Sequence, residues 1–252
     1  MIKYNLVSFY IKMERKYAAF YEFMPIFFGM VVFSVGYAVK HYVVDLSILY
    51  NSLKTPWGIV TALFVYDGVE NAIIYAFFAI LFIAANAAYA RCLRVDRYRL
   101  TLTVSLVAAL TGNIADLAVF VVKYPNGFGV GQSGIVYGFM GAIGAIAFFD
   151  FLMYLLLAVR KVRKKPIGLI MKSRTGGRLR RIVTYIFTTL TLLFTVIYAI
   201  ADLPAFFSVA PGVDSFVHVA SFGSGALISL YLVYRYRDRM LWASEPPKKR
   251  TG

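Results

Sequence analysis

Apolar residues along this chain come in long continuous runs and not in the alternation of a half-buried strand. Polar interruptions separate six of them, roughly 24–40, 69–90, 101–122, 133–159, 182–201 and 215–234. At ~1.5 Å of rise per residue, a helix of such length approaches or exceeds the ~30 Å of a bilayer's hydrocarbon core. Backbone polar groups inside lipid must be satisfied within the spanning structure, which uninterrupted apolar helices achieve. The pattern predicts an all-α, polytopic membrane protein with six transmembrane helices. The membrane domain covers 24–235, between an N-terminal segment (1–23) and a basic tail (236–252). The first run begins near Pro25 and Gly29 and closes at Lys40 and His41. No small-residue cleavage site follows it, so it reads as a span and not as a secretory signal.

Composition agrees, since 60% of the 252 residues are hydrophobic. A net charge of +15 raises the question of nucleic acid, and the placement of the charge answers it. Of 27 Lys and Arg, 24 lie before span 1, between spans 2 and 3, between spans 4 and 5, or after span 6. The alternate connections carry Lys40, Lys54 and Lys123, and the one between spans 5 and 6 has only Asp202 and Asp214. The positive-inside rule then puts both termini in the cytoplasm of a multi-pass cell-membrane protein. Topology accounts for the charge without nucleic acid, and the dense run 160–181 is expected to touch anionic lipid. Cys92 stands alone, so no internal disulfide is expected, and no metal motif is present. The tail 245–252 reads as disordered.

With both termini inside, spans 4 and 6 run from outside to inside. Ser133 opens span 4 and His218 lies near the start of span 6, so both are expected at one depth near the outer leaflet. Ser133, Tyr137, Gly141 and Gly144 share a helical stripe, as do His218, Ser221 and Gly225. Small side chains let helices approach closely in lipid, so the stripes predict contact of spans 4 and 6 and the approach of Ser133 to His218. A serine hydroxyl becomes a nucleophile when a base takes its proton, which histidine does near neutral pH. The free N–H groups of a helix start suit a developing oxyanion, and Ser133 has that address. The plain alternative is that the small residues, including Gly134 and Gly138, serve packing alone.

These residues resemble the rhomboid family of intramembrane serine proteases. The family's Gly-x-Ser-Gly-x-x-x-Gly-x-x-Gly run is similar to Gly131, Ser133, Gly134, Gly138 and Gly141, with Tyr137 where many members carry an aromatic residue that packs on the histidine. Its His-x-x-Gly-x-x-x-Gly is similar to His218, Ser221 and Gly225, with serine replacing the first glycine. The resemblance implies a Ser-His dyad without an acidic third member, no cofactor, and transmembrane protein substrates. In 55–76, Pro56, Trp57, Thr61 and Phe64 fit the family's entry to span 2. The register then puts Tyr66 and Asn71 at two histidine positions and Tyr75 at an asparagine position. In the family the second histidine and the asparagine assist the serine N–H at the oxyanion. Asn71 and Tyr75 lie i, i+4 and can both donate, so they are the expected substitutes, with tying span 2 to its neighbours as the alternative role.

The remaining intramembrane polar groups are Asn113 and Asp116 in span 3 and Asp150 near the inner end of span 4. A transporter would gather carboxylates at mid-membrane in broken, repeated helices. Neither repeat nor cluster is present, and bonding to neighbouring helices is expected. The loop 201–215, with Pro204, Phe206, Phe207 and Pro211, is read as a connector or a cap over the site. Two other functions stay open: a proteolytically inactive rhomboid-like protein that binds transmembrane segments, and a small transporter.

Overall fold

The computed structural model of the chain describes residues 18–43, 45–66, 68–89, 91–129, 131–163, 178–207 and 215–236. Most of the basic run 160–181, the tail 237–252, and Pro211 and Asp214 lie outside the described residues. Among the described residues eight α-helices carry the fold: α1 (Ala18–Glu22), α2 (Met24–Tyr42), α3 (Gly58–Thr61), α4 (Val69–Ala85), α5 (Arg91–Val122), α6 (Ser133–Arg163), α7 (Arg178–Phe207) and α8 (Ser215–Arg235). A two-residue pair, β1 (Asn51–Ser52) with β2 (Phe128–Gly129), runs antiparallel, Asn51 opposite Gly129.

Among the described residues five helices are long and apolar enough to cross a membrane: α2, α5, α6, α7 and α8. The fold is thus predominantly helical, with helices suited by length and composition to a membrane. The apolar run at 69–90 becomes the 17-residue α4, which ends at Ala85. Joined with Gly58–Phe64, from which it bends by 83°, it has the length and composition of a broken span or a re-entrant segment. Asn86 closes it, its side-chain Nδ2 donating to the Phe82 carbonyl at 2.7 Å.

Two further boundaries differ markedly from the sequence expectation. Helix α5 begins at Arg91 and not near 101, because Arg97 finds a buried partner and does not need water. Helix α7 continues through 201–207, so that part of the expected loop is helical, while 208–214 is outside the described residues.

Helix α6 is the centre of the bundle. It is buried on all sides from Ser133 to Ala147 apart from half-buried Tyr137, the mark of a helix apolar all round. Helices α5 and α8 pack against it and against each other. Phe139, Met140, Ile143 and Ile146 of α6 meet Tyr75, Phe78 and Phe82 of α4 and Tyr98 of α5 in the main core.

The segment between α2 and α4 is held by its own polar groups. Trp57 Nε1 donates to the Ile48 carbonyl at 2.6 Å, Thr61 Oγ1 to Leu49 at 2.9 Å and Thr55 Oγ1 to Tyr50 at 2.6 Å. Asn51 Nδ2 reaches the Asn113 carbonyl and Asn113 Nδ2 the Ile59 carbonyl, both at 2.8 Å, which pins the segment to α5. Through β1–β2 and the stack of Tyr50 on Phe128 (centroids 5.3 Å apart), the same segment fixes the approach to α6.

Candidate functional site

The chain turns into α6 over three residues that each have a physical task. Gly131 has φ 111°, a backbone conformation open to glycine and strained for L side chains. Gln132 is fully buried and uses Nε2 to bond the Val32 carbonyl of α2 at 2.8 Å. The amide fits because Gly36 has no side chain: a Cβ there would collide with Gln132 Nε2. The Gln132 carbonyl takes the N–H groups of Ile135 (3.0 Å) and Val136 (3.4 Å), so Ser133 is the first helical residue. By the geometry of a helix start, the Ser133 and Gly134 N–H groups have no acceptor within α6. Ser133 is 4% exposed.

Close packing brings α8 alongside. A Cβ on Gly141 would strike the Phe222 carbonyl, and one on Gly225 would strike the Gly138 carbonyl, so the two backbones touch through the expected small residues. Nearer the helix start, Gly134 faces Val217 Cγ1, with 3.2 Å to a Cβ built on it. His218, the next residue, lays its imidazole on Tyr137, centroids 4.0 Å apart and planes 11° from parallel. Tyr137 lies four residues, about one turn or ~6 Å of rise, beyond Ser133 on α6.

Ser221 stands where three helices meet. A Cβ on Gly112 of α5 would strike its hydroxyl, and a Cβ on Gly134 of α6 would lie 3.3 Å from it. The Ser221 Oγ is fully buried with no hydrogen-bond partner among the described residues. Gly144 departs from the expected α6–α8 stripe: its bare face receives the Thr195 side chain of α7. An i+11 position has drifted far enough round the helix to meet the next neighbour.

Helix α4 supplies less than its sequence suggests. The Tyr75 hydroxyl, expected as an oxyanion donor, gives its single proton to the Pro25 carbonyl of α2 at 3.0 Å. Its ring is 2% exposed, lying against Gly29, Phe33 and Phe139. That expectation is corrected, because a phenol has one proton to donate and here it ties α4 to α2. Asn71, partly buried on α4, is left as the side-chain candidate. Tyr66 lies outside the helix, edge-on to Tyr37 at 5.9 Å with Lys40 over its ring at 5.3 Å.

The end of the bundle away from Ser133 holds an ion pair with no forecast partner. Asp150 accepts from Arg97 Nη1 (2.9 Å) and Nη2 (2.6 Å), and Nη1 also reaches Asn86 Oδ1 at 2.7 Å. Arg97 lies 4.2 Å over the Tyr89 ring. A sequence signal existed, since a carboxylate inside a span calls for a cation and Arg97 is near at the inner end of span 3. Gln132 was missed for lack of any signal, as its importance comes from a groove opened by a glycine 96 positions away.

Among the described residues no three His, Cys, Asp or Glu side chains gather as a metal site. Compared with models of protein families, with curated proteins and with solved structures, the chain matches none.

Proposed function

We propose that this protein is a multi-pass cell-membrane serine endopeptidase of rhomboid type, with six crossings and cytoplasmic termini, that cleaves transmembrane segments of other proteins. One observation carries the reading: His218 stacks on Tyr137 one turn from a buried serine that opens α6. The Ser133 Oγ adds to the scissile carbonyl carbon as its proton passes to His218. The oxyanion is met by the Ser133 N–H and Asn71. Collapse breaks the C–N bond, His218 returns the proton to the leaving amine, and water, deprotonated by His218, then releases the acyl group. Anionic lipid at the basic cytoplasmic connections orients the chain.

Fluorophosphonate labelling of the purified full chain tests this. Wild type is expected to label, Ser133→Ala not at all, and His218→Ala only weakly. A wild-type chain that stays unlabelled where an active rhomboid protease reacts would overturn the catalytic reading.

A second reading, an inactive relative that binds transmembrane segments, is favoured by the Tyr75 bond to Pro25, which removes one oxyanion donor. The transporter reading loses support, since Asp150 is neutralised by Arg97.

A further inference from the structure

Between α2 and α4 lies a cavity of about 390 Å³, open to one side and almost wholly apolar. Gly29 and Phe33 of α2 and Ala76 of α4 line its apolar part, and Ser34, Tyr37 and Tyr66 line the rest. The Tyr75–Pro25 bond closes it at one end. At the other, Tyr37 of α2 meets Tyr66, from the segment leading into α4, edge to face.

The Tyr37–Tyr66 end is also cationic. Lys40 sits over Tyr66 at 5.3 Å, and His41 lies 4.2 Å from the Tyr37 ring. Lys40 makes no ion pair among the described residues. Both residues are exposed at the end of a membrane-length helix. Tyrosine and lysine at that position belong at the headgroup level, where a ring lies in apolar surroundings and its hydroxyl or an ammonium meets polar groups.

An apolar cavity of this kind does not hold water, because its walls offer too few polar partners. Its order, an apolar depth leading to hydroxyls and a cation, is that of an acyl chain leading to a phosphodiester. We propose that this groove is a phospholipid site, with one acyl chain against Gly29, Phe33 and Ala76 and the phosphate held by Lys40 and the Tyr37 and Tyr66 hydroxyls. The site is independent of the peptidase reading, for none of its residues belongs to the proposed dyad. An anionic lipid is preferred over a zwitterionic one of equal chain length, since one lysine near the surface is worth about a fivefold preference.

The test uses the full chain in phosphatidylcholine vesicles doped with phosphatidylglycerol that carries a photoreactive acyl chain, with cross-links mapped by peptide mass. Cross-links are expected to concentrate on 26–37 and 72–76 relative to lipid-facing Leu193 and Ile200 of α7. Ala76→Phe, which fills the groove, is expected to remove that excess. Lys40→Gln, a surface change that leaves the groove intact, is expected to abolish the roughly fivefold preference for phosphatidylglycerol over an equally labelled phosphatidylcholine. Cross-links spread evenly over α2, α4 and α7, or an excess that ignores both substitutions, would mean ordinary surrounding lipid and overturn the proposal.

Discussion

Asp150→Ala is the perturbation with the clearest expected size. The side chains of Arg97 and Asp150 are 1% and 2% exposed, and the pair is bidentate at 2.9 and 2.6 Å. Against well-packed apolar residues the net worth of such a pair is small, because desolvating two charges offsets their attraction. Removing one member is different: Arg97 would keep its bond to Asn86 Oδ1 and the Tyr89 face but lose its carboxylate, leaving a full positive charge buried. The expected loss is about 3–5 kcal/mol, which is roughly two to three and a half orders of magnitude in the folding equilibrium. Equilibrium unfolding in mixed micelles, followed by helical circular dichroism, reads it directly. The double replacement Arg97→Met with Asp150→Leu is expected to recover most of the loss, since no unpaired charge remains. A single variant that loses under about 1 kcal/mol, or a double variant as unstable as the single, would refute the buried-pair reasoning.

Other outcomes follow from the same contacts. Gly141→Val thrusts a side chain into the Phe222 carbonyl and is expected to destabilise the bundle by about 1–3 kcal/mol in the same unfolding assay. Gln132→Leu keeps the bulk and loses the bond to Val32, so labelling of Ser133 is expected to slow while the chain stays folded, as measured by reaction rate with fluorophosphonate. Asn71→Ala is expected to cut peptidase kcat by roughly 100- to 1,000-fold. Tyr75→Phe is expected to leave kcat near wild type and cost about 1 kcal/mol of stability through the lost Pro25 bond. The Asp45 carboxyl is held below its ordinary range by the Ser47 hydroxyl and N–H, so its hold on 45–50 is present above that range and fades as pH falls through the lowered value. Protection factors against hydrogen exchange in that segment, corrected for the intrinsic rate, should therefore fall in acid, and Ser47→Ala should weaken the dependence.

Local rules made much of this protein legible from its residues alone. Continuous apolar runs must become helices in lipid, so α2, α6 and α8 begin within a residue of where the pattern puts them, and α4 likewise begins at Val69. The spacing of Gly141 and Gly225 encodes close approach, because a missing side chain is a property of position and not of context. Direction and partnership needed three dimensions. Nothing local says that Tyr75 turns its hydroxyl to Pro25, fifty residues back, or that Gly144 meets Thr195 and not α8. Arg97 looks like one more basic connector residue until Asp150, Asn86 and Tyr89 surround it. A buried hydrogen bond is chosen by whichever donor and acceptor the packed helices bring together, and that choice depends on rotations about helix axes that no stretch of chain specifies by itself.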